Sequence, residues 1–521
     1  MGDATLTSAD ESLSSDSEDR GPVTKRRLTW PRWSGLLLVF IAASFWPLTL
    51  MAVNPTGIIR PERVLSIVFG IWAAGVLLIM VLRASGLDLE VSENTSFVTV
   101  AVVMSAGPIV DEYGNVAFLV LVLPLVIAWL FTRMKGRVIV PAMVWGMAVA
   151  LAVGPVSALV GGLGPNTPSA FLEPDELSIE MSTRPEIYML VFDGYPGLVG
   201  SEMDGVDPGV TDVVDELGER GFEIPQSSWT AYWTTELSIP SALEMSYPVV
   251  SEDWEHAETL QRIQEVMSGE NSLVETLRSN GYQTHMLESG WSGASCGRSY
   301  DTCVPSPWLD EATYLTLRHT LAWAWIQNSS GPHARGTLAS FDWLLEKAPT
   351  LSQSGAPDFV FAHLMVPHAP YFFDSDCSID VSEERAGVIY DDEFNTPASR
   401  EQYLVQQIDC ADKFMLEFAD RAGPEDAVIF MSDHGTDRRH QARPEWTAWD
   451  EEAIVERMNN FVAVRLPDCS VGDPILVPNI FRRVLSCYSS TEIEMLPERM
   501  WINPMKELEP DVVDALIHRT P

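Results

Sequence analysis

Near the far end of the chain, "AVIFMSDHGTDRRH" (residues 427–440) drives an apolar run, Val428 to Met431, straight into Ser432, Asp433, His434 and Gly435. Four apolar residues in a row suit a buried strand, and a strand tip delivers its last side chains into the crevice at the carboxyl edge of an α/β sheet, where ligands and metal ions collect. An acid and an imidazole side by side at such a tip can ligate a metal. Asp-His beside Gly is also the composition of a solvated turn, so the pair needs partners elsewhere. Two stretches offer them. "RPEIYMLVFDGYPG" repeats the pattern, with the apolar run Ile187 to Phe192 ending on Asp193 and Gly194. "PDFVFAHLMVPHAPYFF" is a third apolar run, with His363 inside it, where it reads as a buried strand residue, and His368 beyond its end between two prolines.

A nucleophile comes from "WTTELSIPSALEM", where Thr234 and Thr235 precede a helical stretch whose first turn carries Glu236. A hydroxyl there is either an N-cap or a nucleophile beside free backbone N–H groups and a positive dipole end, which favour an anionic group.

The elements that must hold these residues follow from the spacing. "VVDELGERGFEIP" and "NSLVETLRSNGYQTHMLES" each read as helix, Gly turn and strand, an alternation that gives a mostly parallel sheet covered by helices. Before them, apolar stretches at Ser34–Val53, Val64–Leu82 and Val138–Val160 are each long enough to cross about 30 Å of hydrocarbon. The shorter runs Phe97–Val110 and Val116–Phe131, parted by "DEYGN", form two thin spans or a re-entrant hairpin, with the same parity of crossings either way. "TKRR" before the first span and Arg133, Lys135 and Arg137 before the last put those loops in the cytoplasm, so everything after Val160 faces outward; Arg60 and Arg63 conflict with this. The expected organisation is a disordered cytoplasmic tail over 1–29, a transmembrane domain of about five helices over 30–162, a linker over 163–185 and an outer catalytic domain over 186–521.

Composition agrees with an outward-facing domain. All six cysteines, Cys296, Cys303, Cys377, Cys410, Cys469 and Cys487, fall in that portion, which suits disulfides. Nearest-neighbour pairing joins Cys296 to Cys303, Cys377 to Cys410 and Cys469 to Cys487, the first bridge being the one the short loop favours. With 73 acidic against 33 basic residues and a net charge of -40, the chain repels nucleic acid, which is excluded as a ligand.

"IYMLVFDGYPG", "TTELSIPSALEMSYP", "FVFAHLMVPHAPYFF" and "VIFMSDHG", in this order, resemble the sulfatase-like members of the alkaline phosphatase superfamily over roughly residues 186 to 500. The layout, helices first and such a domain after, is similar to that of lipoteichoic acid synthases and phosphoethanolamine transferases. The resemblance implies an α/β sheet of alkaline-phosphatase type and one site: Asp193, Asp433 and His434 as metal ligands, Thr235 as nucleophile on the metal, and His368 on the substrate ester. Thr235 rather than Thr234 keeps the family's spacing to a small polar residue, Ser238, and to the proline of a "YP" pair, Pro248. Ser238 is a rival, because "SIPSA" resembles the motif in which Cys or Ser becomes formylglycine, yet Ala242 stands where that motif has arginine. Asp193 also stands alone where calcium sulfatases pair two aspartates, and His434 replaces their asparagine; an imidazole favours manganese or zinc over calcium. His440 either completes the site or touches substrate.

The expectation is therefore a multi-pass plasma-membrane protein whose outer domain cleaves or transfers phosphate esters of envelope lipids or glycans with a divalent metal. Its partners are the bilayer and a phosphorylated or sulfated lipid or glycan. Sulfate-ester hydrolysis is the second reading, and an inactive, glycan-binding envelope protein the third.

Overall fold

In the computed structural model, residues 32–519 are described apart from short stretches, the longer of which are 107–125, 290–298, 322–330, 386–395 and 437–448. The tail expected over 1–29, His440, Cys296, the end of the thin run Phe97–Val110 and most of the run Val116–Phe131 lie outside the described residues.

Three apolar runs become the centre of one sheet: β1 (Ile187–Phe192), β4 (Asp358–Leu364) and β5 (Ala427–Met431), every residue of each being buried. With β2 (Gln283–Leu287), β3 (Thr302–Val304) and β6 (Val462–Arg465) they stand in the order β3-β2-β4-β1-β5-β6, all parallel except the β5–β6 pair. Strands apolar on both faces need cover on both, and they have it. Alternation sorts the side chains. Ile187, Met189 and Val191 of β1 and Ala427, Ile429 and Met431 of β5 face one core, together with Leu237, Ile239 and Leu243 of helix α6 (Thr235–Glu244). Tyr188, Leu190, Phe192, Val428 and Phe430 face the other, against Phe414 and Phe418 of helix α11 (Pro397–Arg421). Each such side chain contributes roughly 1.5–3 kcal/mol of burial.

Parity then fixes the site. Val191 pairs with Met431 and with His363, so the next positions on that face, Asp193 and Asp433, continue toward the α6 side. Helix α12 (Glu451–Met458) and helix α13 (Val477–Tyr488) complete this layer with Ile454, Val455, Met458, Ile480 and Phe481.

The N-terminal helices are α1 (Trp33–Val53), α2 (Pro61–Ala84), α3 (Leu89–Val103) and α4 (Ile139–Gly161). Among the described residues, Val64–Ala84 is long and apolar enough to cross a membrane, with shorter apolar helical stretches at Trp33–Thr49 and Ala142–Val153. Leu65, Phe69, Leu77 and Val81 of α2 and Met143, Val149 and Val153 of α4 are exposed. Exposed apolar surface of this extent marks an interaction face. The helix over Leu89–Val103 starts earlier than the apolar run at Phe97, because Glu93 is buried by Arg32: the guanidinium donates to its Oε2 at 2.6 and 2.8 Å. At the opposite ends of α1 and α3, the Trp46 ring stacks on His319 at 4.0 Å and the Leu321 N–H donates to the Val103 carbonyl at 2.9 Å. His319 and Leu321 follow helix α9 (Glu311–Arg318) of the C-terminal portion, so α1 and α3 run the same way, toward that portion.

The segment before β1 is tied down where it is described. Phe171 bridges Val249, and Met181 bridges Ser489. Disulfides join Cys377 to Cys410 and Cys469 to Cys487, as nearest-neighbour pairing expects. Cys303 is also disulfide-bonded.

Candidate active site

Three adjacent strands, β4, β1 and β5, end together and release Asp193, Asp433 and His434 into one crevice, the carboxyl-edge location expected of such a sheet. One ligand atom from each of the three lies within 4.8 Å of the others, and all three residues are buried. The turn after β1 is possible because Gly194 takes φ +70°; its N–H and that of His434 both donate to Asp433 Oδ1 at 3.0 Å. Gly435 permits the turn after β5, since a Cβ there would stand 2.0 Å from the Glu456 carbonyl oxygen.

Thr235 is the first residue of α6. Its hydroxyl donates to Asp433 Oδ2 at 2.6 Å and lies 3.2 Å from His434 Nε2. Thr234 occupies the N-cap position without a side-chain cap, its hydroxyl bonded instead to Glu236. The two threonines thus separate, one turned into the crevice and one along the helix. Ser238 is fully buried, donates to the Asp433 carbonyl at 2.5 Å and shares a hydrogen bond with Thr230 at 2.8 Å. It supports the strand end from behind.

The charges are arranged for a cation. Burial opposes ionisation of Asp193, but the imidazoles of His368, His363 and His434 outweigh it and hold the carboxyl below the usual carboxylate range. Asp193 Oδ1 is buried with no hydrogen-bond partner, an atom that a bound ion would satisfy. His434 Nδ1 donates to the Gly435 carbonyl at 2.9 Å, which leaves the Nε2 lone pair facing the two carboxylates. Burial first, and then the Arg457 guanidinium, push this imidazole below its usual value, so it stands neutral and able to ligate. Two carboxylates, a neutral imidazole and a hydroxyl in one dry pocket fit a divalent ion.

His368 lines the crevice with Gly194, Tyr371, Gly435, Thr436 and Arg457. Two contributors were not singled out from sequence. His363, read as a strand residue, is buried as expected but brings its Nε2 to 3.2 Å from Asp193 Oδ2; the signal would have been its register beside Val191. Arg457, on α12, reaches His434 Nε2 with Nη2 at 3.0 Å; nothing in "IVERMNN" marks it.

Comparison with known proteins adds the following. The Sulfatase family model matches residues 205–456, a stretch that contains Thr235, His368, Asp433 and His434 and begins after Asp193. No curated protein matches the chain. Among solved structures, the chain is similar to the zinc complex of the C-terminal periplasmic domain of EcEptC from Escherichia coli, with 13% identity and a TM-score of 0.40 over 64% of this chain and 95% of that one. It is similar also to the integral membrane lipooligosaccharide phosphoethanolamine transferase A from Neisseria meningitidis, with 11% identity and a TM-score of 0.40 over 88% and 96%. A protein in the alkaline phosphatase superfamily from Vibrio parahaemolyticus matches at 13% identity and a TM-score of 0.42 over 65% and 78%.

Proposed function

We propose that this chain, whose residues 205–456 match the Sulfatase family model, is a membrane-anchored, metal-dependent enzyme that cleaves or transfers phosphate esters of envelope lipids or glycans, with Thr235 as its nucleophile. One observation carries the reading: the Thr235 hydroxyl, at a helix N-terminus, lies 2.6 Å from Asp433 and 3.2 Å from His434, beside a buried Asp193 oxygen without a partner.

Each residue then has a task. Asp193, Asp433, His434 and the Thr235 oxygen would hold the cation, and the imidazole in the set favours manganese or zinc over calcium. A divalent ion there supplies a lower hydroxyl pKa and charge neutralisation on the transferring group. Thr235 Oγ1 attacks phosphorus, and its proton has an acceptor at hand in Asp433 Oδ2. The Oγ1–P bond forms as the ester O–P bond breaks. His368, on the crevice wall, is placed to give the departing alkoxide its proton. Water or a second alcohol then displaces Thr235 from phosphorus. The positive dipole end of α6, which begins at Thr235, favours the charged phosphoryl oxygens throughout.

The name of the matching family favours sulfate esters as a second reading. That chemistry in its formylglycine form needs residue 238, whose hydroxyl is buried and committed to the Asp433 carbonyl. Phosphate esters therefore stand first. Placement is part of the proposal: a multi-pass plasma-membrane anchor with the catalytic domain outside. The exposed apolar faces of α2 and α4, the contacts of α1 and α3 with residues 319 and 321, and the disulfides support it.

The test is Thr235→Ala in the full-length protein, assayed with chromogenic phosphate monoester, phosphate diester and sulfate ester. Turnover should fall by about 10³-fold or more while metal still binds. Near-normal turnover in this variant, or formylglycine at position 238 by mass spectrometry, refutes the reading.

A further inference from the structure

Arg457 takes no part in the chemistry above, yet it stands in the crevice wall. It is 8% exposed, and its guanidinium is fixed at three points. Nε donates to the Trp233 carbonyl at 2.7 Å, Nη1 points to the Gly435 carbonyl at 3.5 Å, and Nη2 lies 3.0 Å from His434 Nε2. These anchors belong to the segment just before Thr235 and to the turn just after His434, so the fork is aligned with both halves of the site. No carboxylate among the described residues pairs with it. A buried guanidinium without a counter-ion is costly, and a crevice that keeps one is suited to an anion.

The acceptor now used by Nη2 is the same lone pair that a metal ion would claim. With that nitrogen committed to a cation, Nη2 needs another acceptor, and the neighbouring space is the crevice it shares with His368 and Thr436. Thr235 Oγ1 lies 3.2 Å and Arg457 Nη2 3.0 Å from the same His434 Nε2, so the non-bridging oxygens of an ester under attack by Thr235 come within reach of the guanidinium. Charge points the same way. Asp193 and Asp433 together balance one divalent ion and leave nothing over for Arg457, while the Glu456 carboxylate beside it is bonded to Thr436.

We propose that Arg457 is a substrate-contacting residue: its Nη2 donates to a non-bridging oxygen of the tetrahedral anionic group carried to Thr235, and it selects esters that bear a negative charge on that group. The proposal rests on the reading of Thr235 given above, but its binding test does not need turnover.

The experiment uses the full-length, metal-loaded Thr235→Ala protein in detergent, titrated calorimetrically with inorganic phosphate, with and without Arg457→Met. Affinity for phosphate should fall about 10- to 100-fold, the range of a hydrogen bond to a charged group, with metal content unchanged. In the otherwise intact enzyme, Arg457→Met should raise KM for an anionic phosphodiester and lower kcat. Arg457→Lys keeps a donor and a charge but not the fork, so it should recover part of the phosphate affinity; it is the variant to read if Met disturbs the Trp233 anchor and the melting profile. Unchanged phosphate affinity in both variants overturns the proposal, as does loss of phosphate affinity together with loss of metal, which would mean Arg457 only steadies His434. Phosphate binding that depends on Arg457 in a wild-type chain without esterase turnover would keep this proposal and sink the Thr235 reading instead.

Discussion

Strand β1 carries a carboxylate at each end, and the two titrate in opposite directions. At the carboxyl end, Asp193 is held below the usual range by three imidazoles that outweigh its burial. At the amino end, burial pushes half-buried Glu186 from the usual 4.5 up to about 7, against the Asp358 N–H it accepts and with help from the charges of Asp358 and Asp426. Asp426 is pushed up by burial too. The difference is one of company. His363, His368, His434 and Arg457 gather around the first edge; the second has three acids, with the imidazole of His285 bonded to Asp358 at 2.7 Å and the Arg465 guanidinium lowering Asp426 by less than burial raises it. Desolvation acts at both ends, so a carboxylate at a sheet edge becomes a ligand only where cations or imidazoles are packed beside it.

The sharpest way to break this contrast is to neutralise the acid at the carboxyl end. Asp193→Asn removes one of the three grouped ligands and leaves a neutral amide among imidazoles. Metal affinity should drop at least about 100-fold, more than the loss of an outer-shell partner costs, and turnover about 10³-fold or more. Metal content by elemental analysis, beside activity at saturating metal, separates the two effects. Retention of stoichiometric metal in Asp193→Asn would detach this residue from the ligand set.

Much of that edge was visible in the sequence, because β1 and β5 are uninterrupted apolar runs that Asp193 and the Asp433–His434 pair follow, and β4 is a mostly apolar run broken by His363. Thr234 and Thr235 were both visible at a helix start, and only the resemblance, through its spacing to Ser238 and Pro248, singled out Thr235. What stayed hidden needed three dimensions. His363 looks like one more residue of a buried strand until the register sets it beside Asp193, and Arg457 sits on a short amphipathic helix remote in sequence from His434. In the N-terminal portion, the start of α3 was obscured because "SENTS" reads as polar loop, whereas Glu93 is buried against Arg32 and the turn is helical. Of the apolar runs at either side of "DEYGN", the first is helical as far as Val103, and most of the second lies outside the described residues.

A middle-sized effect tests how far the carboxyl edge depends on its backbone. Gly435→Ala would set a Cβ 2.0 Å from the Glu456 carbonyl oxygen and 2.7 Å from that of Asn459, and neither can rotate away. The turn bearing His434 and the end of α12 would have to part, at a cost near the upper end of overpacking, about 3 kcal/mol. Thermal unfolding should show a clear drop, and metal affinity should fall with it, because His434 is tied to the Gly435 carbonyl. A variant as stable as the wild type would mean this approach is looser than the structure has it.

The smallest effect belongs to the amino end and has the opposite sign. Because Glu186 holds its proton more tightly when folded than the usual 4.5, the folded state binds more protons than the unfolded one between that value and about 7. Stability from this group is therefore present at low pH and falls as pH rises across that window, the reverse of an acid held low by cations. Glu186→Gln keeps an acceptor for the Asp358 N–H, which now bonds Glu186 Oε2 at 2.6 Å, and removes the charge that burial and the neighbouring acids oppose. The variant should melt close to the wild type at about pH 5 and a few degrees above it at about pH 8, with metal content and turnover unchanged. Melting curves of the full-length protein at the two pH values decide it: a gap that is constant, or that narrows as pH rises, would put the proton elsewhere and remove the contrast between the two ends of β1.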